Sequence, residues 1–229
     1  MTRHRDHDQT PLDPEDAARQ ETALRALFDE RSISILDLGC GAGRIAGLLA
    51  HDGHRILGVD RDPGVESAFL TATGPRGEFQ VGSIHRDEDV PHGCFEGVLL
   101  LGNVLMQFRR PEDLRSVFDI ASTRLSEQGR IVIDDFPRVG WSEISEGRWA
   151  DGIDDTGSMQ MVWSPGNPEF VIRMGEDVDP GSDRIQPHER VLRLWSRREL
   201  DDAAGQVGLH PVDVTEAAES GLLVYARRV

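Results

Sequence analysis

From residue 32 to residue 136, apolar runs alternate with turn-forming residues in a regular way. An apolar run over 32–39 predicts a strand, and the spacing of Ile45, Leu48 and Leu49 predicts an amphipathic helix over about 42–52. The pattern repeats as a strand at 54–60, a helix at 63–73 and a strand at 77–83. Phe95 to Asn103 is nearly continuous in apolar residues, as expected of a strand buried on both faces. Pro111 opens a helix with Leu114, Val117, Phe118, Ala121 and Leu125 at helical spacing, and Gly129 separates it from a strand at 131–136. Each strand–helix repeat spans about 20 to 35 residues, which predicts an α/β chain with a doubly wound, mostly parallel sheet.

The flanks read differently. Residues 1–12 are polar and predict a disordered tail, and Asp13-Pro14 opens a helix with Leu24, Leu27 and Phe28 on one face. Beyond 136 the period changes. Met159–Trp163 and Phe170–Met174, joined by Ser164-Pro165-Gly166-Asn167-Pro168, predict a hairpin, and Arg190–Trp195 alternates as a third antiparallel strand. Ser196 and Glu199 form a capping box for a helix that stops at Gly208. Strands at 210–215 and 222–227 close the chain.

The candidate chemistry sits at the first strand–helix turn, Asp37-Leu38-Gly39-Cys40-Gly41-Ala42-Gly43-Arg44. Glycine serves where φ is positive or where backbone must approach a ligand, and the N–H groups opening the next helix can face an anion. Asp60 ends the second strand, 17 residues beyond Gly43. An acid at that place can accept both hydroxyls of a ribose, so a nucleoside is expected across the top of the sheet. Gly41-Ala42-Gly43-Arg44-Ile45-Ala46 also fits the dinucleotide fingerprint, which keeps an NAD oxidoreductase open. Against it stand Asp37, a carboxylate ahead of the turn suited to a cationic group, and the closing hairpin. A non-catalytic nucleoside-binding or regulatory module is a third reading.

The run from Leu36 to Gly43, with Asp60, resembles motif I and the acidic ribose position of class I S-adenosylmethionine-dependent methyltransferases. The resemblance covers about 32–136 and 190–229. It implies a Rossmann-like fold of seven strands with an antiparallel C-terminal hairpin, and S-adenosyl-L-methionine as cofactor. It implies a cofactor site made by Asp37, Gly39, Cys40, Gly41, Gly43, Arg44, Asp60, Arg61, Ser83, Ile84, Leu101, Gly102 and Met106. Ser83 stands where many relatives have an aspartate for the adenine amino group. The leading helix should pack over this pocket, and residues 137–195 resemble in kind an inserted antiparallel substrate cap. The domain expected is 13–229. The fourth strand ends in Gly102-Asn103-Val104, not in the N/D-P-P-[YF] tip of amino-methylating nucleic-acid enzymes.

Asn103, Asp134 and Asp135, near strand tips, are the catalytic candidates, with the two aspartates and then His92 and His188 as candidate bases. The three also resemble the metal-binding tips of cation-dependent catechol methyltransferases, but the motif is incomplete and no metal is assigned. The reaction expected is methyl transfer to an oxygen or nitrogen of a small-molecule acceptor. Trp141, Trp149 and Trp163 lie in the cap region and offer aromatic walls, and a homodimer surface is the other use for such strands.

Composition narrows the partners. The net charge is −16, which argues against a nucleic-acid polyanion. An anionic acceptor would need Arg148, Arg173 or Arg190 turned inward. All 25 basic residues are arginine, so lysine Schiff-base and P-loop chemistry are excluded. No apolar run is long enough to span a membrane, Met1–Asp8 shows no secretory pattern, and Cys40 and Cys94 form no disulfide framework. A cytoplasmic location is expected.

Overall fold

The computed structural model describes residues 14–28, 32–135, 149–150 and 152–228. The chain runs α1 (Pro14–Leu27), β1 (Ser34–Leu38), α2 (Arg44–His51), β2 (Arg55–Asp60), α3 (Glu66–Thr73), β3 (Gly77–Val81), β4 (Phe95–Leu100), α4 (Pro111–Arg124) and β5 (Leu125–Asp134). Then follow β6 (Trp149–Ala150), β7 (Ile153–Asp154), β8 (Met159–Trp163), β9 (Glu169–Met174), β10 (Leu192–Arg193), α5 (Arg197–Gln206), β11 (Leu209–Val212), α6 (Thr215–Glu219) and β12 (Leu222–Arg227).

Seven strands form the main sheet in the order β11-β12-β5-β4-β1-β2-β3. β1 to β5 are parallel; β12 runs antiparallel to β5, and β11 antiparallel to β12. The order reverses at β1, which pairs with both β2 and β4. A doubly wound sheet places its ligand crevice at that reversal.

Side chains alternate across the sheet, and two cores result. Leu36, Leu38, Val98, Leu100, Ile131 and Ile133 pack under α4 and α5. Ile35, Leu99, Leu101 and Val132 pack under α1 and α2, with Leu24, Ile45 and Leu49. On α4, Leu114, Val117 and Phe118 are fully enclosed, each contributing about 1.5–3 kcal/mol of transfer free energy. The alternation also sorts the carboxylates. Asp37, Asp60 and Asp134 follow residues of the first face by one and so share the α1/α2 side. Asp135 falls on the other side.

Three boundaries differ from the sequence expectation. β5 begins at Leu125 directly after α4, but its register against β4 shifts between Phe95 and Gly97, so residues 126–129 bulge before pairing resumes at Arg130. β3 ends at Val81, because Ser83 turns to donate its N–H to Asp89. Between the last two strands stands α6, whose Ala217 is buried in the core beside α1. The tail at 1–12, and Phe136 at the expected end of β5, lie outside the described residues.

The second sheet has five antiparallel strands in the order β10-β9-β8-β7-β6. Its hairpin pairs Trp163 with Phe170 and Met159 with Met174. This sheet is fastened to the turn that follows β4. Trp195 Nε1 donates to the Leu105 carbonyl at 3.0 Å, Arg193 to the Arg109 carbonyl at 3.0 Å, and Arg109 to the Glu169 carboxylate at 2.8 and 3.1 Å.

Candidate active site

The turn after β1 carries three glycines in the left-handed region, with φ of +79° at Gly39, +50° at Gly41 and +82° at Gly43. Gly39 is pinned by donating to Val59, and a Cβ there would stand 2.4 Å from a methyl of Val104. A Cβ at Gly41 would meet nothing within 4 Å. That open direction is the kind of approach a ligand needs. Gly43 caps α2 through its backbone alone, with no side chain on the first-turn N–H groups.

The turn borders a cavity of about 460 Å³ over the carboxyl ends of β1, β2 and β4. Of the predicted cofactor residues, Asp37, Gly39, Cys40, Gly41, Arg44, Asp60, Arg61, Ser83, Ile84, Leu101 and Gly102 line it, as do Asn103 and Asp134. Gly43 does not; it sits behind the turn against Phe69. Met106 lines a neighbouring cavity instead. Asp135 lies outside both, on the α5 side of the sheet, where its backbone N–H bonds to Gly221 at 2.8 Å.

Asp60 accepts the N–H of Gly41 on one oxygen and that of Asp62 on the other, each at 3.0 Å. A carboxylate has about four lone-pair positions, so acceptor capacity remains for two hydroxyls. Asp37 is 5% exposed, and burial, with the charge of Asp60 adding, raises its pKa to about 7; Arg44 acts in the opposite sense. The Cys40 thiol is pushed far up by burial and by Asp37 and Asp60, so it does not serve as a nucleophile. Asp134 accepts from Asn103 N at 2.7 Å and from Gln20 Nε2 at 3.0 Å, and burial still lifts it to about 6. Asn103 has φ of +58°, a left-handed conformation that asparagine tolerates, and this turns its N–H toward Asp134.

An acid whose folded pKa exceeds its unfolded value stabilises the fold fully below the unfolded pKa and loses that contribution as pH rises through the folded one. For Asp37 the window runs from about pH 4 to 7, and Asp134 adds in the same sense. The ligand-free protein is therefore expected to lose a few kcal/mol between about pH 4 and 7. Asp37→Asn should melt higher than the unaltered chain at pH 8 and show a flatter pH dependence in calorimetry. An unchanged slope would mean that Asp37 is already ionised.

A second cavity, of about 610 Å³, opens between the 102–107 turn and β9 of the cap. It shares Gly102, Asn103 and Gln107 with the first, so the two meet at that turn. Arg173 borders it but is not a free cation: its guanidinium donates to Glu189, Gln160 and the carbonyls of Ser182 and Arg184. His188 and Arg190 line this cavity, while the exposed His92 lines neither. Trp163, stacked on Phe170 with ring centroids 4.7 Å apart, and the buried Trp195 also stay out of it. Trp141 and Arg148 lie outside the described residues. Among the described residues, no group of three or more His, Cys, Asp or Glu is placed to hold a metal, and no helix is long and apolar enough to cross a membrane.

Sequence reasoning missed His85, Gln107, Phe108 and Asp113 of the first cavity, all from loops or a helix start without periodicity. His85 Nδ1 bonds Ser83 Oγ at 3.0 Å, and its ring stands edge-on to Phe108 at 5.4 Å. It missed Ala17 and Gln20 of α1 as well. Gln20 had left a signal: a polar residue one turn before Leu24, on the apolar stripe of the helix.

Residues 35–129 match the family model described as a methyltransferase domain. None of the curated proteins matches the chain significantly. Among solved structures, the PH0226 protein of Pyrococcus horikoshii is similar, with 18% identity and a TM-score of 0.65 over 96% of this chain and 95% of that one. CalS10, an amino pentose methyltransferase of Micromonospora echinaspora bound to SAM, has 19% identity and a TM-score of 0.59 over 93% and 91%. The 1,6-didemethyltoxoflavin-N1-methyltransferase of Burkholderia thailandensis, solved with bound 1,6-didemethyltoxoflavin and S-adenosylhomocysteine, has 17% identity and a TM-score of 0.58 over 95% and 80%. At such identities the likeness establishes the fold: a Rossmann-like sheet with an added antiparallel sheet.

Proposed function

We propose that this chain, whose residues 35–129 match a methyltransferase-domain model, is an enzyme that uses S-adenosyl-L-methionine to methylate an oxygen or nitrogen of a small-molecule acceptor held under its cap. The observation that carries the reading is the meeting of two cavities at Gly102 and Asn103, with Asp134 beside the junction. A module that only bound a nucleoside would have no use for the second cavity.

The residues of the first cavity fit the cofactor. The turn offers a cradle open above Gly41, Asp60 has acceptor capacity for ribose hydroxyls, and Asp37 with Asp134 makes the site suited to a cation. S-adenosyl-L-methionine, when bound, supplies a methyl group on a positively charged sulfur. The chain's part is mostly alignment, which can be worth ~7–11 kcal/mol. Gly102 and Asn103 stand where the two compartments meet. Asp134 is the residue proposed to take the proton from an acceptor hydroxyl or ammonium. A group with pKa about 6 is largely ionised at neutral pH and is still basic enough to do so. Asp135 is too far round the sheet to share that role.

A small acceptor suits a second cavity of this size, and the net charge of −16 disfavours nucleic acid. Cys40 and Cys94 are unpaired, in keeping with a reducing, cytoplasmic setting. If the protein dimerises, the cap face bearing the exposed Trp163 and Met174 is the proposed contact.

S-adenosylhomocysteine is expected to stabilise the protein in a thermal-shift assay, whereas NAD is not. At 100 times its Kd a ligand adds ~2.7 kcal/mol, a rise of several degrees in Tm. A shift with NAD and none with S-adenosylhomocysteine would reverse the assignment.

A further inference from the structure

Gln20 is 3% exposed, on the inner stripe of α1, and its carboxamide lies between a cation and an anion from two other elements. Arg44 donates to its Oε1 at 2.7 Å, and its Nε2 donates to Asp134 at 3.0 Å. Chemistry dictates this orientation. A guanidinium has only donors and a carboxylate only acceptors, so the amide oxygen must face Arg44 and the amide nitrogen Asp134. The other Asp134 oxygen accepts from Asn103 N at 2.7 Å, so both oxygens are held.

We propose that Gln20 is a positioning residue for Asp134: braced by Arg44, its amide donates to one carboxylate oxygen, so that Asp134 stays aimed at the cavity junction and ionised, ready to take a proton. The inference rests on the reading of Asp134 as proton acceptor. The groups acting on Asp134 are the Gln20 side chain from α1, Arg44 from α2 and the N–H groups of Gly102 and Asn103 after β4. The position of Asp134 thus depends on α1 being docked.

The test is a carboxyl ¹³C NMR titration of the full chain labelled at aspartate, with the Asp134 resonance assigned through Asp134→Asn. Gln20→Met keeps the length of the side chain and removes both hydrogen bonds. Gln20→Glu keeps the shape and adds a second carboxylate. The Asp134 midpoint should rise by about one unit in Gln20→Met and further in Gln20→Glu, since each loses a donor to the ionised form. S-adenosylhomocysteine affinity, measured by calorimetry, should change much less than tenfold. A midpoint that is unmoved or lowered in Gln20→Met overturns the proposal, and Gln20→Glu is read the same way if the methionine variant does not fold. If the midpoints rise yet Asp134→Asn still methylates an acceptor, the base assignment fails while the positioning stands.

Discussion

Replacing Asp134 by asparagine is expected to lower kcat by about 10²–10³-fold on any acceptor that the unaltered protein methylates, which is the usual contribution of a positioned proton acceptor. The amide is nearly isosteric, so the cofactor cavity keeps its shape and affinity for S-adenosylhomocysteine should change little. The substitution also has a structural cost. One end of the new amide can accept from Asn103 or Gln20, but its NH₂ must then face the other donor. Gln20 cannot turn to relieve this without setting its own NH₂ against Arg44. About 1–3 kcal/mol of stability should be lost with the activity. The measurement is steady-state kinetics over a panel of amines and alcohols, beside a denaturant melt. A kcat within threefold of the unaltered enzyme would remove Asp134 from the chemistry.

The second large effect is expected at Gly41. Valine there should weaken S-adenosylhomocysteine binding at least about 100-fold, or ~2.7 kcal/mol, while most of the fold survives. A Cβ on Gly41 meets nothing within 4 Å in the protein alone, so the substitution is expected to act on the ligand. The φ of +50° costs the variant about 1–2 kcal/mol for carrying a Cβ in a left-handed conformation. Gly39 makes the contrast: there a Cβ would run into Val104 at 2.4 Å, and damage would fall on the packing between β1 and the turn after β4. Calorimetric titration and circular dichroism on Gly41→Val separate the two kinds of loss. Unchanged affinity would mean that the ligand does not pass over the turn.

The parts of this site that were legible in the sequence are those set by local chemistry. Glycine spacing and an acid one strand later announced the β1 turn and Asp60, and both lie on the cavity where expected. The period of two was a stronger instrument than its first use suggested. Asp134 and Asp135 are neighbours in sequence, and alternation along β5 sends only Asp134 to the side that holds Asp37. What escaped were contacts between distant segments. The bond from Gln20 to Asp134 spans 114 positions, and no periodicity within either element reveals its partner. The bulge at 126–129 was hidden because Gly129 looked like an ordinary break, whereas its lack of a Cβ makes room for Leu125 and the Phe95 carbonyl. Buried Arg124 is similar: from α4 alone it reads as a solvated helix end, yet it reaches Asp87 and the carbonyls of Val90 and Pro91.

Among the described residues, Trp195, Arg193 and the Arg109–Glu169 pair rivet the cap to the turn after β4. On the proposed reading, acceptor choice and cofactor binding are separable cassettes with a shared seam. Whoever transplants a cap between proteins of this architecture should cut so that the 104–109 turn travels with it. A graft that swaps the inserted strands alone would leave Arg109 without its Glu169 partner unless the new sheet carries an acid at that place.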